Sequence, residues 1–171
     1  MSILQQTFNH VKEPDIRAEV RGMLYGIGSE PPRGHWVQIL RVNLNRPCCI
    51  NKHSGKWDEP NPNCKACEGL GFFPTKVYTM AFYSFMSGDE KSAAPEILHI
   101  HGERYYVTNE VFVDQRQAEL SALYEILLDA NGNIVEPVQR VVRYNIKAAV
   151  PYREDHGKLQ YWALNVEKQE V

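Results

Sequence analysis

The sequence predicts a mainly β protein, a β-barrel or sandwich, with a short N-terminal helix and a cysteine-rich loop inserted between two strands. Three observations carry this. Short segments of alternating apolar and polar residues recur from His35 to Glu167, the period of half-buried strands. Turn dipeptides punctuate them, Asn131-Gly132 above all. All four cysteines lie in one polar stretch, residues 46–71, which has almost nothing of its own to bury.

The chain has 171 residues and a net charge of −2. That length suits one domain with a real core. We expect an arm and short helix over 1–33, then a single β domain over 34–171 that contains the loop 46–71. No apolar run approaches the ~20 residues of a membrane helix. A pI near 6.3 lacks the basic footprint of a sequence-specific nucleic-acid binder.

Residues 1–13 are polar and read as an arm or loose tail. Pro14 suits a first helical position, with Asp15 and Glu19 near the positive end of the dipole. Ile16, Val20, Met23 and Leu24 share one helical face. The helix should run from Asp15 to Tyr25 and stop at Gly26 and Gly28, packing on its own sheet or on a partner. Residues 26–34 form a loop without phosphate-binding spacing. His35–Asn45 alternates with a change of phase, which predicts a strand with a bulge. Phe72–Met86 is the most aromatic segment and apolar on both faces, so it reads as a strand buried between layers or as an interface strand.

Residues 88–95 read as a loop, Glu96–His101 and Arg104–Val107 as short strands, and the polar stretch after them as a short turn. Ser121–Leu128 reads as a strand, with a helix as the alternative. Residues 129–133 make a hairpin turn. Glu136–Lys147 is a strand, Pro151 and the polar run after it a turn, and Leu159–Glu167 the closing strand.

The cysteines give the loop its chemistry. Cys64 and Cys67 form C-x-x-C, followed by Gly69 and Gly71. Such a turn converges two sulfurs on one ion, and the glycines aim amides at them. The second pair is Cys48 and Cys49. Neighbours in an extended strand point to opposite faces, so both reach one ion only if the chain bends, and Pro47 favours a bend. Four thiolates make a closed structural Zn²⁺ site; His53 is the substitute ligand if one of the upstream pair falls away. The fold class is thus completed by an inserted zinc-binding loop. Two disulfides are the rival in an oxidising compartment, but the opening M-S-I-L-Q-Q-T-F-N-H has no basic region and no long apolar run, which favours a reducing cytosol. A redox C-x-x-C usually opens a helix, which E-G-L-G-F-F-P does poorly.

His99 and His101 form an H-x-H whose side chains share a strand face. It is a weak metal pair without an evident third ligand, and His156 reads as a solvated turn residue. No nucleophile triad, paired-carboxylate signature or glycine-rich cofactor loop stands out, so we expect no enzyme.

A strand, then R-P-C-C, a polar loop with K-W-D-E-P-N-P-N-C, then C-x-x-C-x-G-x-G and an aromatic strand resembles a group of small virion proteins of tailed bacteriophages, encoded among head and neck genes. The resemblance covers about residues 34–80. Its most specific part is N-P-N-C-K-A-C-E-G-L-G; the adjacent Cys48-Cys49 departs from the usual C-x-C. The resemblance implies a non-enzymatic head–tail connector or neck component, of stopper or terminator type. It implies assembly in the bacterial cytoplasm into a homo-oligomeric ring, a hexamer or dodecamer. Portal, connector and tail proteins would be its neighbours, with genomic DNA passing through the lumen. A baseplate or tail position is the nearest alternative. A zinc-containing nucleic-acid-binding module is another, built on Arg33, Arg41, Arg46, Lys52, Lys56 and Lys65 with Trp57 to stack a base.

Overall fold

The computed structural model describes residues 15–49, 60–86, 102–154 and 157–169. The first helix, α1 (Ile16–Tyr25), starts because Asp15 caps it: its carboxylate accepts from the Ala18 amide at 3.2 Å. It stops at Gly26, whose φ of 87° suits glycine. A Cβ there would also lie 2.8 Å from the Glu30 carbonyl oxygen. Of the expected apolar face, Leu24 is fully buried, while Ile16, Val20 and Met23 are half-buried.

Six strands follow, with one more helix among them: β1 (His35–Pro47), β2 (Phe72–Met86), β3 (Gly102–Thr108), α2 (Gln115–Leu120), β4 (Ala122–Ile126), β5 (Arg140–Arg153) and β6 (Leu159–Lys168). They close into a barrel in the order β1-β2-β3-β6-β5-β4. All six pairings are antiparallel. Two consecutive three-stranded meanders are thus joined along β1–β4 and β3–β6. The protein is a barrel rather than a sandwich, and closure removes the unpaired edges that a sheet would present. β2 pairs with β1 through Ala81 and with β3 only from Phe82. Helix α1 packs against β2, β3 and β6. There the Tyr25 hydroxyl accepts from the Met80 amide at 3.4 Å, and Arg17 donates to the Leu159 carbonyl at 2.8 Å.

The main core joins Val37, Ile39, Ala81, Tyr105, Val107, Leu123, Trp162 and Leu164. Trp162 is 1% exposed and meets Phe112 edge-on at 6.1 Å. Within this core the Tyr105 hydroxyl donates to Glu125 at 2.5 Å and Tyr144 donates to the same oxygen at 3.3 Å. Burial first, and then the contact with Glu125 (chiefly its hydrogen bond for Tyr105, its charge for Tyr144), push both phenols above their ordinary range, Tyr144 up to about 12. Burial also lowers the His35 pKa, against the opposing pull of Glu125.

Several elements differ from expectation for physical reasons. β2 is covered on both faces only at Thr79, Met80 and Ala81, whereas Tyr78, Tyr83 and Phe85 are exposed. The stretch read as a turn forms α2. Asp114 accepts from the Gln117 amide at 2.8 Å, and the Gln117 side chain accepts from the Val113 amide, one residue before the cap, at 2.9 Å, two bonds that start even a short helix. β5 runs through Pro151 to Arg153, where a turn was expected. β4 pairs with β5 only as far as Asn145, so Pro151 sits where one edge of the strand has no strand partner and its missing N–H costs little. Ala122–Ile126 is a strand, not the alternative helix. Of the hairpin at 129–133, the Gly132 amide bonds to Asp129 at 3.0 Å and the Asp129 amide to Asn133 at 2.9 Å. The arm 1–13, the loop 88–95 and the strand expected at Glu96–His101 lie outside the described residues.

Candidate metal centre

The centre begins where β1 ends. Cys48, one residue past Pro47, still donates its amide to the Gly71 carbonyl at 2.8 Å. The chain then bends at Cys49, whose carbonyl accepts from the Asn61 amide at 3.4 Å. The bend breaks the up-down alternation of the strand, so two adjacent cysteines reach one place.

The other pair sits in a knuckle that returns the chain into β2. The Cys64 amide donates to Asn61, Gly69 to Cys64 and Leu70 to Cys67, at 3.0–3.1 Å. The Gly71 amide points at the Cys67 sulfur, 3.3 Å away. The chain reverses through residues with positive φ: Glu68 (52°), Gly69 (78°) and Gly71 (81°). Gly69 is also required by close approach, because a Cβ there would lie 2.9 Å from the Pro62 carbonyl oxygen. Beneath the knuckle, Leu70 packs in a second apolar cluster with Leu40, Val42, Ala122 and Tyr124, flanked by Leu44, Phe72 and Leu120. The barrel wall therefore supports the loop from below.

These two arms bring Cys48, Cys49, Cys64 and Cys67 together. All four sulfurs lie within 4.8 Å of one another. Cys48 and Cys64 are 3.7 Å apart, Cys49 and Cys67 3.2 Å. A tetrahedral ion with metal–sulfur bonds of ~2.3 Å needs sulfurs ~3.8 Å apart, so the set fits. The four thiols are free, at separations far beyond the ~2.05 Å of a disulfide. A thiol bond from Cys49 is the main reason Cys64 is drawn down to about 6. Burial works against ionisation of Cys67, but bonds from Cys49 and the Gly71 amide leave its pKa lowered. Cys49 is pushed up to about 12, chiefly by its bond to Cys64, and Cys48 upward by burial and the same network. The four thiols thus share their protons, and a cation bound by all four sulfurs would displace those that remain. Four sulfurs also complete a tetrahedral shell, which leaves no open position for substrate.

One contact ties the knuckle to the wall. The Glu68 carboxylate accepts from Arg140 Nη1 at 2.6 Å and from the Tyr124 hydroxyl at 3.0 Å. Burial works against ionisation of this carboxyl, but Arg140 and Tyr124 hold it below the usual range. Sequence reasoning did not single out Glu68, Tyr124 or Arg140. Nothing in C-K-A-C-E-G names a partner 72 residues away.

His53, Lys52, Lys56 and Trp57 lie outside the described residues, as do His99, His101 and His156. Of the basic residues near the loop, Arg41 turns to the Val111 carbonyl at 3.2 Å and Arg46 lies over the Phe73 ring at 5.1 Å; Arg33 and Lys65 are exposed. No protein-family model matches the chain, and no curated protein matches it.

Proposed function

We propose that this chain is a non-enzymatic structural protein of a tailed-phage virion, a connector or stopper-type subunit of the head–tail neck, and that its cysteine knuckle holds a structural Zn²⁺. The observation that carries the proposal is the convergence of Cys48, Cys49, Cys64 and Cys67 within 4.8 Å. Those residues sit in the very motif that resembles the virion proteins. A closed four-thiolate shell stabilises a fold and performs no chemistry on a substrate. Zinc, borderline-soft and indifferent to geometry beyond the tetrahedron, suits four sulfurs better than the hard cations do. In this reading the metal braces the knuckle at 60–71 against the end of β1, as a contact surface in a ring of six or twelve copies.

Two measurements test the two halves. Elemental analysis of chain purified without added metal should find about one zinc per chain. Quantitative mass spectrometry of phage particles purified from the source culture should find the chain at six or twelve copies per virion. Absence from purified particles would overturn the virion role, and four free thiols without metal would overturn the zinc site.

A further inference from the structure

We infer that Glu68 is a positioning residue of the metal centre: held by Arg140 and Tyr124, it latches the knuckle to the barrel wall and sets metal affinity without touching the metal. The inference rests on reading the four-cysteine cluster as a metal centre. Among the described residues, Glu68 is the one non-glycine residue with positive φ. Glycine would adopt that conformation without strain, and the residues at 69 and 71 are glycines. A glutamate in this place is strained, and strain of this kind persists where the surroundings over-determine it. Here the surroundings are the two bonds to Arg140 and Tyr124.

The partners are themselves fixed. Arg140 lies 4.3 Å over the Tyr124 ring, and its Nε donates to Gln38 at 2.6 Å. Gln38 is 2% exposed and donates in turn to the Tyr78 hydroxyl at 2.8 Å. The chain of contacts runs from the knuckle to β5, β1 and β2. The Arg140 and Glu68 side chains are 28% and 30% exposed, so the pair is shielded compared with a surface ion pair. Glu68 is bonded directly to Cys67, whose sulfur takes the Gly71 amide. Fixing Glu68 therefore fixes the direction from which that sulfur enters the cluster. With the latch open, the knuckle keeps its backbone bonds and the packing of Leu70 but loses the side-chain tie that holds the residue next to Cys67 against the wall.

The test is Co²⁺ and Zn²⁺ affinity of the full chain at one pH, by competition with a chromogenic chelator, with the thiolate–Co²⁺ absorption band as a second readout. Glu68→Ala removes the latch and keeps the strained backbone, whereas Glu68→Gly removes both, so the pair of variants separates the latch from the strain. The latch predicts that Glu68→Gly and Glu68→Ala bind about tenfold more weakly, within the range seen for outer-shell partners. The Co²⁺ band should keep its four-thiolate position. Glu68→Gln, which keeps an acceptor for Tyr124, should recover part of the loss. Arg140→Gln should weaken binding too, and add little once Glu68 is Ala. A Glu68→Ala chain that binds as tightly as the parent, or more tightly, overturns the latch and leaves the metal centre standing. A parent chain that binds neither ion overturns the metal centre, and the latch with it.

Discussion

The Cys48 amide donates to the Gly71 carbonyl at 2.8 Å, and this one bond carries the β1–β2 pairing past Pro47 and Phe72 into the cysteine knuckle. The two arms that present the sulfurs grow from paired strands, so the barrel fixes where the arms begin, and the bend at Cys49 and the knuckle bring the sulfurs together.

If so, removing one thiol should empty the centre without unfolding the barrel. Cys64→Ser, at a half-exposed position, should lose most bound zinc in elemental analysis and keep the far-UV signal of the β fold. Chelation of the parent should do the same, and should open the knuckle at 60–71 to protease before the barrel. In small zinc peptides metal binding supplies ~10 kcal/mol or more of the folding energy. Here the main core stands apart from the knuckle, so global unfolding on chelation would contradict this account.

The core should respond separately. Trp162 is 1% exposed, packs on Phe112, and donates its indole N–H to the Asn109 carbonyl at 3.4 Å. Trp162→Ala should cost about 3–5 kcal/mol, the range for truncating a buried aromatic, read from urea unfolding. Zinc stoichiometry should stay unchanged as long as the chain is folded.

Alkaline titration should find Tyr105 and Tyr144 among the phenols that ionise late. Tyr105 and Tyr144 both have folded pKa values raised by burial and by Glu125. The unfolded phenol ionises near pH ~10. A raised folded value means the native state holds its proton longer. The stabilisation is present in full below pH ~10 and is lost as pH climbs toward about 12 and beyond. Ultraviolet titration should show these two ionising only with unfolding. Tyr105→Phe removes the 2.5 Å bond to Glu125 and should cost about 1–3 kcal/mol, because it leaves the carboxylate short of a donor.

The hairpin offers a test of backbone alone. Gly132 has φ 81°, and a Cβ there would meet nothing within 4 Å. Gly132→Ala should therefore cost about 1–2 kcal/mol from the left-handed conformation, seen as a lowered melting temperature. A neutral result would mean that the turn relaxes freely.

Much of this architecture is legible in the sequence, because its signals are local. Alternation marks His35–Asn45 and Leu159–Glu167 as strands, Asn131-Gly132 marks the hairpin, and Asp15 with Gly26 frames α1. Where expectation failed, a local signal was outvoted by a neighbour. Pro151 reads as a turn until one sees that its side of β5 has no strand to pair with. The stretch after β3 reads as a turn until Asp114 caps the Gln117 amide and Gln117 takes the amide of Val113.

The sequence by itself determined that four thiols able to serve as soft ligands come from two short arms around a polar loop, because ligand chemistry and C-x-x-C spacing are properties of adjacent residues. Only the tertiary structure decided that the sheet closes into a barrel, that Cys48 and Cys49 turn the same way, and that Glu68 meets Arg140. Each of those depends on strand register, which brings residues far apart in the chain to within bonding distance, and no local pattern encodes such a meeting.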